Sequence, residues 1–199
     1  MHGHEASYPC RESDRTMAES HISFRKLAEA DLPLMHRWRN APHVSKWWGI
    51  TERSPSMHDI RRKYLPRITG EYPVECYLIL FDASPVGMVQ TYLLDNHPSV
   101  RADYKVSDKA AGIDIFIGEK DYVYHGHGSN IIKSFLREIV FKNYDADRCI
   151  IDPEPGNTAA IRAYEKAGFK YVGTIRNQKG GVDAYLMSID RRDATGVEK

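Results

Sequence analysis

Residues Tyr122–Phe141 read YVYHGHGSNIIKSFLREIVF. After the two His-Gly pairs, Ile131, Ile132, Phe135, Leu136, Ile139 and Val140 recur at i, i+1, i+4, i+5, i+8 and i+9. That spacing predicts one apolar face of a helix running to about Asn143. Immediately upstream, AGIDIFIG (Ala111–Gly118) has the β-branched and aromatic content of a strand. Strand, glycine-containing loop and helix start together form an arrangement that points free backbone N–H groups at an anion. Gly126 and Gly128 would remove Cβ where a phosphate must come close. A plain structural turn and a two-histidine metal site are the alternatives, but histidines at i and i+2 of a tight turn make a poor pair of ligands, and no third ligand lies nearby in sequence.

Outward from this unit the chain alternates strands and helices. ISFRKL (Ile22–Leu27) alternates as a strand, and Glu29–Asn40 carries Leu32, Met35, Trp38 and Arg39 at helical spacing, with Asp31 as N-cap. Met57–Leu65 reads as a second helix stopped by Pro66, followed by a hairpin of Glu75–Asp82 and Val86–Leu94 turning near Ser84-Pro85. Asp95–Ala110 reads as a polar connection. Cys149–Pro153 is a short strand, Asn157–Ala167 a helix closed by Gly168, and Tyr171–Arg176 and Val182–Asp190 are closing strands around a Lys179-Gly180-Gly181 turn. The order implies an α/β (α+β) domain, a mixed, mostly antiparallel sheet flanked by about four helices. Its expected bounds are residues 21–192, with a polar flexible tail over 1–20 and a C-terminal tail over 193–199.

Composition narrows the function class. The 199 residues carry 28 Lys plus Arg against 27 Asp plus Glu, so no global field points to nucleic acid or an anionic membrane. Cys10, Cys76 and Cys149 are widely spaced and odd in number, which suits a reducing compartment. Met1–Ser20 lacks the apolar centre of a secretory signal, and no apolar run is long enough to span a bilayer. A cytoplasmic protein, monomeric or homodimeric, acting on a small molecule is the expectation.

Several polar residues stand out by position. Asp114 lies between Ile113 and Ile115, opposite in direction to both, so it either lines a wet cleft or meets solvent or an internal Arg. Tyr164 shares a helical face with Asn157 and Ile161, where it is either a core tyrosine or a proton donor. Asp152 precedes Pro153 at a strand end, a turn former or a ligand at the sheet's carboxyl edge. Trp47 and Trp48 are core fillers or faces for sugars and cations.

The segment Val123-Tyr124-His125-Gly126-His127-Gly128 and the block DPEPGNTAAIRAYEKAGF (Asp152–Phe169) resemble the two cofactor motifs of the GNAT superfamily of acetyl-CoA-dependent N-acetyltransferases. Val123 departs from the pattern, which has Gln or Arg there. VSKWWG (Val44–Gly49), KYLP (Lys63–Pro66), VGMVQTY (Val86–Tyr92) and GIDIFIG (Gly112–Gly118) resemble most the aminoglycoside 6'-N-acetyltransferases within it. The resemblance implies acetyl-CoA held by Phe116, Ile117, Tyr124, His125, Gly126, His127, Gly128, Ser129, Asn157, Ala160 and Tyr164. It implies Asp114 taking up the amine and its proton, Tyr164 protonating the thiolate, and backbone N–H groups near Phe116 or Ile117 meeting the oxyanion. A cationic aminoglycoside would lie against Trp47, Trp48, Tyr64, Glu71, Gln90, Asp95, Asp114 and Asp152, with Asp183 a further candidate. A siderophore-precursor or protein amine acceptor, or a non-catalytic CoA-binding domain, are the alternative readings.

Overall fold

The computed structural model describes residues 21–48, 54–175 and 183–196. The first half contains β1 (Ile22–Lys26), α1 (Leu32–Arg39), the single turn α2 (Pro42–Ser45), α3 (Met57–Ile68), β2 (Glu75–Phe81) and β3 (Ser84–Leu93). There follow α4 (Pro98–Tyr104), β4 (Ala110–Ile117), α5 (His127–Phe135), α6 (Phe141–Asn143), β5 (Arg148–Ile151), α7 (Thr158–Ala167), β6 (Lys170–Ile175), β7 (Ala184–Asp190) and α8 (Arg191–Thr195). The strands form one sheet in the order β1-β2-β3-β4-β5-β7-β6. Only the β4–β5 pairing is parallel.

The period-2 alternation of the strands sorts their side chains into two cores. Leu78, Met88 and Phe116 face α1 and α3, where Leu32, Met35, Trp38, Ile60 and Tyr64 are buried. Tyr77, Val89 and Ile113 face α5 and α7, burying Ile131, Ile132, Phe135 and Tyr164. The four longer helices thus cover the sheet two to a face. Gly118, just past β4, lets the Trp38 ring cross the chain, since a Cβ there would sit 2.2 Å from it.

Local details differ from the sequence reading. Pro66 lies inside α3 rather than ending it: in the last turn it forfeits one hydrogen bond, and the Leu65 carbonyl still accepts from Thr69. The β2–β3 turn is Asp82-Ala83, both left-handed, two residues earlier than the Ser84-Pro85 expected, because that geometry matches strand twist. The polar stretch 95–110 is not a plain connection; it contains α4. The long helix after the glycines is α-helical only to Phe135 and passes through a π-helical stretch, Leu136–Val140, before α6. Residues 193–195, placed by sequence in a tail, belong to α8, which Arg191 ties down by donating to the carbonyls of Phe141, Tyr144 and Ala146. The expected 1–20 tail and the 179–181 turn lie outside the described residues.

The parallel pairing of β4 with β5 joins Ala110–Gly112 to Arg148–Ile150 and stops there. Beyond Gly112, β4 stays paired with β3 while β5 stays paired with β7, so the two strands part and leave a wedge in the middle of the sheet.

Candidate active site

The wedge opens into a cavity of about 620 Å³, walled by the outer half of β4, the first turn of α5, the end of β5, α7 and the tryptophans after α2. At one end, Tyr124 and Gly126 are both left-handed, and the chain turns through them into α5. Tyr124 is 83% exposed. The two glycines serve different needs. A Cβ at Gly126 would meet open space, so the residue is required for its φ of +83°; a Cβ at Gly128 would press on Ala163 of α7 at 3.2 Å, so its role is helix packing as well as access. Gly126 caps α5 without a side chain, leaving the first N–H groups of the helix without a capping oxygen where His127, Gly128 and Ser129 border the cavity. The His127 ring packs on Phe81 and Tyr122, and burial together with His125 holds its pKa below the usual imidazole value. Arg162 and Lys166, four residues apart on α7, add positive charge to the same cavity wall.

At the middle stands Tyr164. Asn157 caps α7 by accepting the Ala160 N–H at 3.3 Å, which sets the helix direction and carries the tyrosine to the cavity two turns on. Tyr164 is 5% exposed, packs edge-on against Phe169 and borders the cavity; among the described residues nothing accepts its phenolic hydrogen. Burial and then the charges of Asp114 and Asp152 push its pKa well above the ordinary phenol value, so it stays protonated through the neutral range.

At the far end, β-sheet register builds the acidic group. Cys76, Gln90 and Asp114 are directly paired across β2, β3 and β4. The Cys76 thiol approaches Gln90 Oε1 at 3.7 Å, and Gln90 Nε2 donates to Asp114 Oδ2 at 2.7 Å. Burial raises the Asp114 pKa, opposed by the Gln90 bond and by Lys63 and Arg67. Asp152, at the end of β5, also borders the cavity; burial, then the charge of Asp114, push it up to about 7 against a hydrogen bond from Tyr104 of α4.

The cavity therefore gathers Asp114, Phe116, Ile117, Trp47, Trp48, Tyr124, Gly126, His127, Gly128, Ser129, Asp152, Asn157, Ala160 and Tyr164 from five separate chain segments. Other candidates stand elsewhere. Glu71 is exposed beyond α3 and accepts from Thr69 at 3.1 Å, and Asp95 is exposed and paired with Arg101. Their acidic character suggested a cation site, but the turn before β2 and the helix α4 carry them to the surface. His125 does not border the cavity; the turn through Tyr124 and Gly126 leaves it beside His127, ring centroids 6.3 Å apart. Tyr64 is sealed in the α1–α3 core and Gln90 sits behind Asp114, so neither forms cavity wall. Asp183 lies just ahead of β7, also off the wall. Sequence reading did not single out Tyr104, Lys63 and Arg67, or Arg162 and Lys166. The last two pairs each show i,i+4 spacing, the one signal available for them, whereas Tyr104 stood in a stretch with no readable period.

A family model described as an acetyltransferase (GNAT) domain matches residues 28–177. An aminoglycoside N(6')-acetyltransferase type 1 of Klebsiella pneumoniae is 28% identical over 165 residues, covering 83% of this chain and 82% of the relative. Among solved structures, aminoglycoside acetyltransferase AAC(6')-Ib in complex with coenzyme A and kanamycin superposes with a TM-score of 0.72 at 25% identity, over 87% of this chain and 96% of that one. A spermidine N-acetyltransferase from Vibrio cholerae shares the fold, with a TM-score of 0.68 at 17% identity over 87% and 97% of the two chains.

Proposed function

The chain belongs to the GNAT acetyltransferase family, and from that premise we propose that it transfers acetyl from acetyl-CoA to a primary amine of an aminoglycoside, at the 6' position. The observation that carries the reading is one cavity that runs from the uncapped start of α5, past Tyr164, to the Asp114–Asp152 pair. The fit to the donor rests on the chain's own groups. The free N–H groups of α5, with Arg162 and Lys166, suit a diphosphate, and the edge of β4 that β5 abandons after Gly112 offers unpaired backbone groups to an extended amide-bearing arm.

Bound acetyl-CoA supplies an activated acyl group as a thioester. Asp114 orients the acceptor ammonium and removes the proton that must leave before nitrogen is nucleophilic; its raised pKa makes it a better base than an ordinary carboxylate. Backbone N–H groups of β4 near Phe116 and Ile117 face the oxyanion, supplying a stabilisation that needs no side chain. Tyr164 gives its phenolic proton to the departing sulfur and regains one from the new amide nitrogen, while Asp114 releases its proton to solvent. The high phenol pKa does not disqualify Tyr164, because a thiolate formed in the same dry cavity is raised by the same desolvation. Trp47 and Trp48 offer flat faces to a sugar ring.

Thiol release from acetyl-CoA with kanamycin, compared with lysine derivatives and peptides, tests the reading, and NMR of the product identifies the acetylated nitrogen. Release with kanamycin and a 6'-acetamide is the expected result. Coenzyme binding with no release for any amine would instead support a non-catalytic CoA-binding domain.

Asp152 adds a pH signature. Its carboxyl ionises near 7, so kanamycin affinity is expected to rise as pH passes from 6 to 8, and Asp152→Asn should flatten that rise in a KM–pH profile. Stability runs the other way: a folded-state pKa above the unfolded value favours the folded state below about 4, and that advantage fades as pH climbs through 7. Asp152→Asn should therefore melt above the parent at pH 8, with the difference vanishing at pH 4; an unchanged KM profile would remove Asp152 from acceptor binding.

A further inference from the structure

Behind Trp48 and Asp114, α1 and α3 bring three cations together. Arg39, on the inner side of α1, is 6% exposed, and its Nη2 donates to the Trp48 carbonyl at 2.7 Å. Its Nε and Nη1 are buried with no hydrogen-bond partner among the described residues. Lys63 and Arg67 are one turn apart on α3; the Lys63 ammonium lies 6.0 Å from the Trp48 ring and 5.7 Å from the Tyr64 ring, and the Arg67 guanidinium 5.6 Å from the Tyr64 ring. Arg67 Nε and the Tyr64 hydroxyl are likewise buried without a partner among the described residues. Among the described residues none of the three cations forms an ion pair, and Asp114 is the carboxylate whose field Lys63 and Arg67 feel.

Aromatic faces soften such a cluster, but four unpartnered buried polar atoms carried by Arg39, Arg67 and Tyr64 leave it short of acceptors. The cluster shows this in its own titration: although Lys63 keeps an exposed flank, protein crowds its ammonium, and with Arg39 and Arg67 nearby its pKa falls to about 8. A ligand that is cationic throughout meets repulsion on this side. A ligand whose amine faces Asp114 and whose oxyanion faces α3 satisfies both.

We propose that the Arg39–Lys63–Arg67 cluster is an anion subsite, and that the preferred acceptor carries an oxyanion, carboxylate or phosphate, on the same molecule as the reacting amine. The inference rests on the amine-acetyltransferase reading of the cavity. It goes beyond the aminoglycoside proposal by naming a second, anionic group that strengthens binding of an acceptor when carried beside the reacting amine. Lys63, whose side chain is exposed at the rim, makes the direct contact, and Arg67 and Arg39 supply charge from behind it.

The test uses twin probes that differ only in the anion: Nα-acetyl-lysine against its amide, and kanamycin 3'-phosphate against kanamycin. Dissociation constants are measured by calorimetry on the full chain saturated with coenzyme A, alongside thiol release from acetyl-CoA. In at least one pair the anionic twin should bind roughly tenfold tighter, as expected for one charge-assisted contact. Which pair discriminates tells carboxylate from phosphate. In Lys63→Gln/Arg67→Gln the preference should shrink to about twofold or less, and Lys63→Arg, which keeps the charge, should retain it. Equal binding of both twins in both pairs, or a preference that survives the double substitution, overturns the anion subsite. If kanamycin is acetylated and neither pair is discriminated, the subsite fails and the aminoglycoside reading stands. If a pair is discriminated while no amine releases thiol, the subsite stands and the catalytic reading fails.

Discussion

Asp114→Asn should lower kcat/KM for the amine acceptor by roughly 10²- to 10³-fold while leaving coenzyme A affinity unchanged. The change is nearly isosteric, and Asn can still accept from Gln90 Nε2 through Oδ1, so the β3–β4 cross-strand pair survives. What disappears, on the proposed mechanism, is the group that takes the proton and holds the cation. Burial raises the carboxyl's pKa, so the parent should gain activity with pH as Asp114 ionises above the usual carboxylate range, and the variant should lack that limb. Stability should move oppositely. Ionising a carboxyl whose folded pKa is raised costs the folded state as pH climbs, so the variant is expected to melt no lower than the parent under alkaline conditions. A large rate loss with an undiminished melting temperature therefore identifies a catalytic role. A normal pH–rate profile with intact turnover would return Asp114 to structure.

Tyr164→Phe is the second large effect. Removing one oxygen from a buried ring whose phenol nothing in the described chain accepts leaves the packing on Phe169 and Ala167's neighbourhood in place. Folding cost should be small, since no internal hydrogen bond is lost. Turnover should fall by roughly 10²-fold or more, with little change in acetyl-CoA affinity, because on the proposed mechanism the lost proton matters only as the sulfur departs. The phenol stays protonated across the neutral range, so the parent's profile should show no inflection from Tyr164 between pH 6 and 9. Single-turnover kinetics with coenzyme binding measured separately checks this; an unchanged rate would assign the thiolate's proton to water.

The helix after the glycines was readable because its apolar residues repeat on one face, and Asn157 and Tyr164 because a cap and a helical spacing are local facts. Gly126 was legible as a special position, but not its reason, since only coordinates separate the need for positive φ from the contact that Gly128 makes with Ala163. Glu71 and Asp95 had the right chemistry and the wrong place: charge in a loop says nothing about which way the loop faces. Tyr104 had the reverse problem, sitting in a stretch without period until α4 set it against Asp152.

The sequence by itself determined a mixed sheet with helices packed on it and the order of its main strands and helices, because propensity, capping and periodicity act within a few residues; its glycine and asparagine motifs point to an acetyltransferase through their resemblance to that family. Tertiary structure alone decided where β4 and β5 part, that Cys76, Gln90 and Asp114 fall in one row, and that Arg39, Lys63 and Arg67 converge behind Trp48. Those depend on strand register and on how helices seat on a twisted sheet, which long-range packing sets and no local pattern encodes.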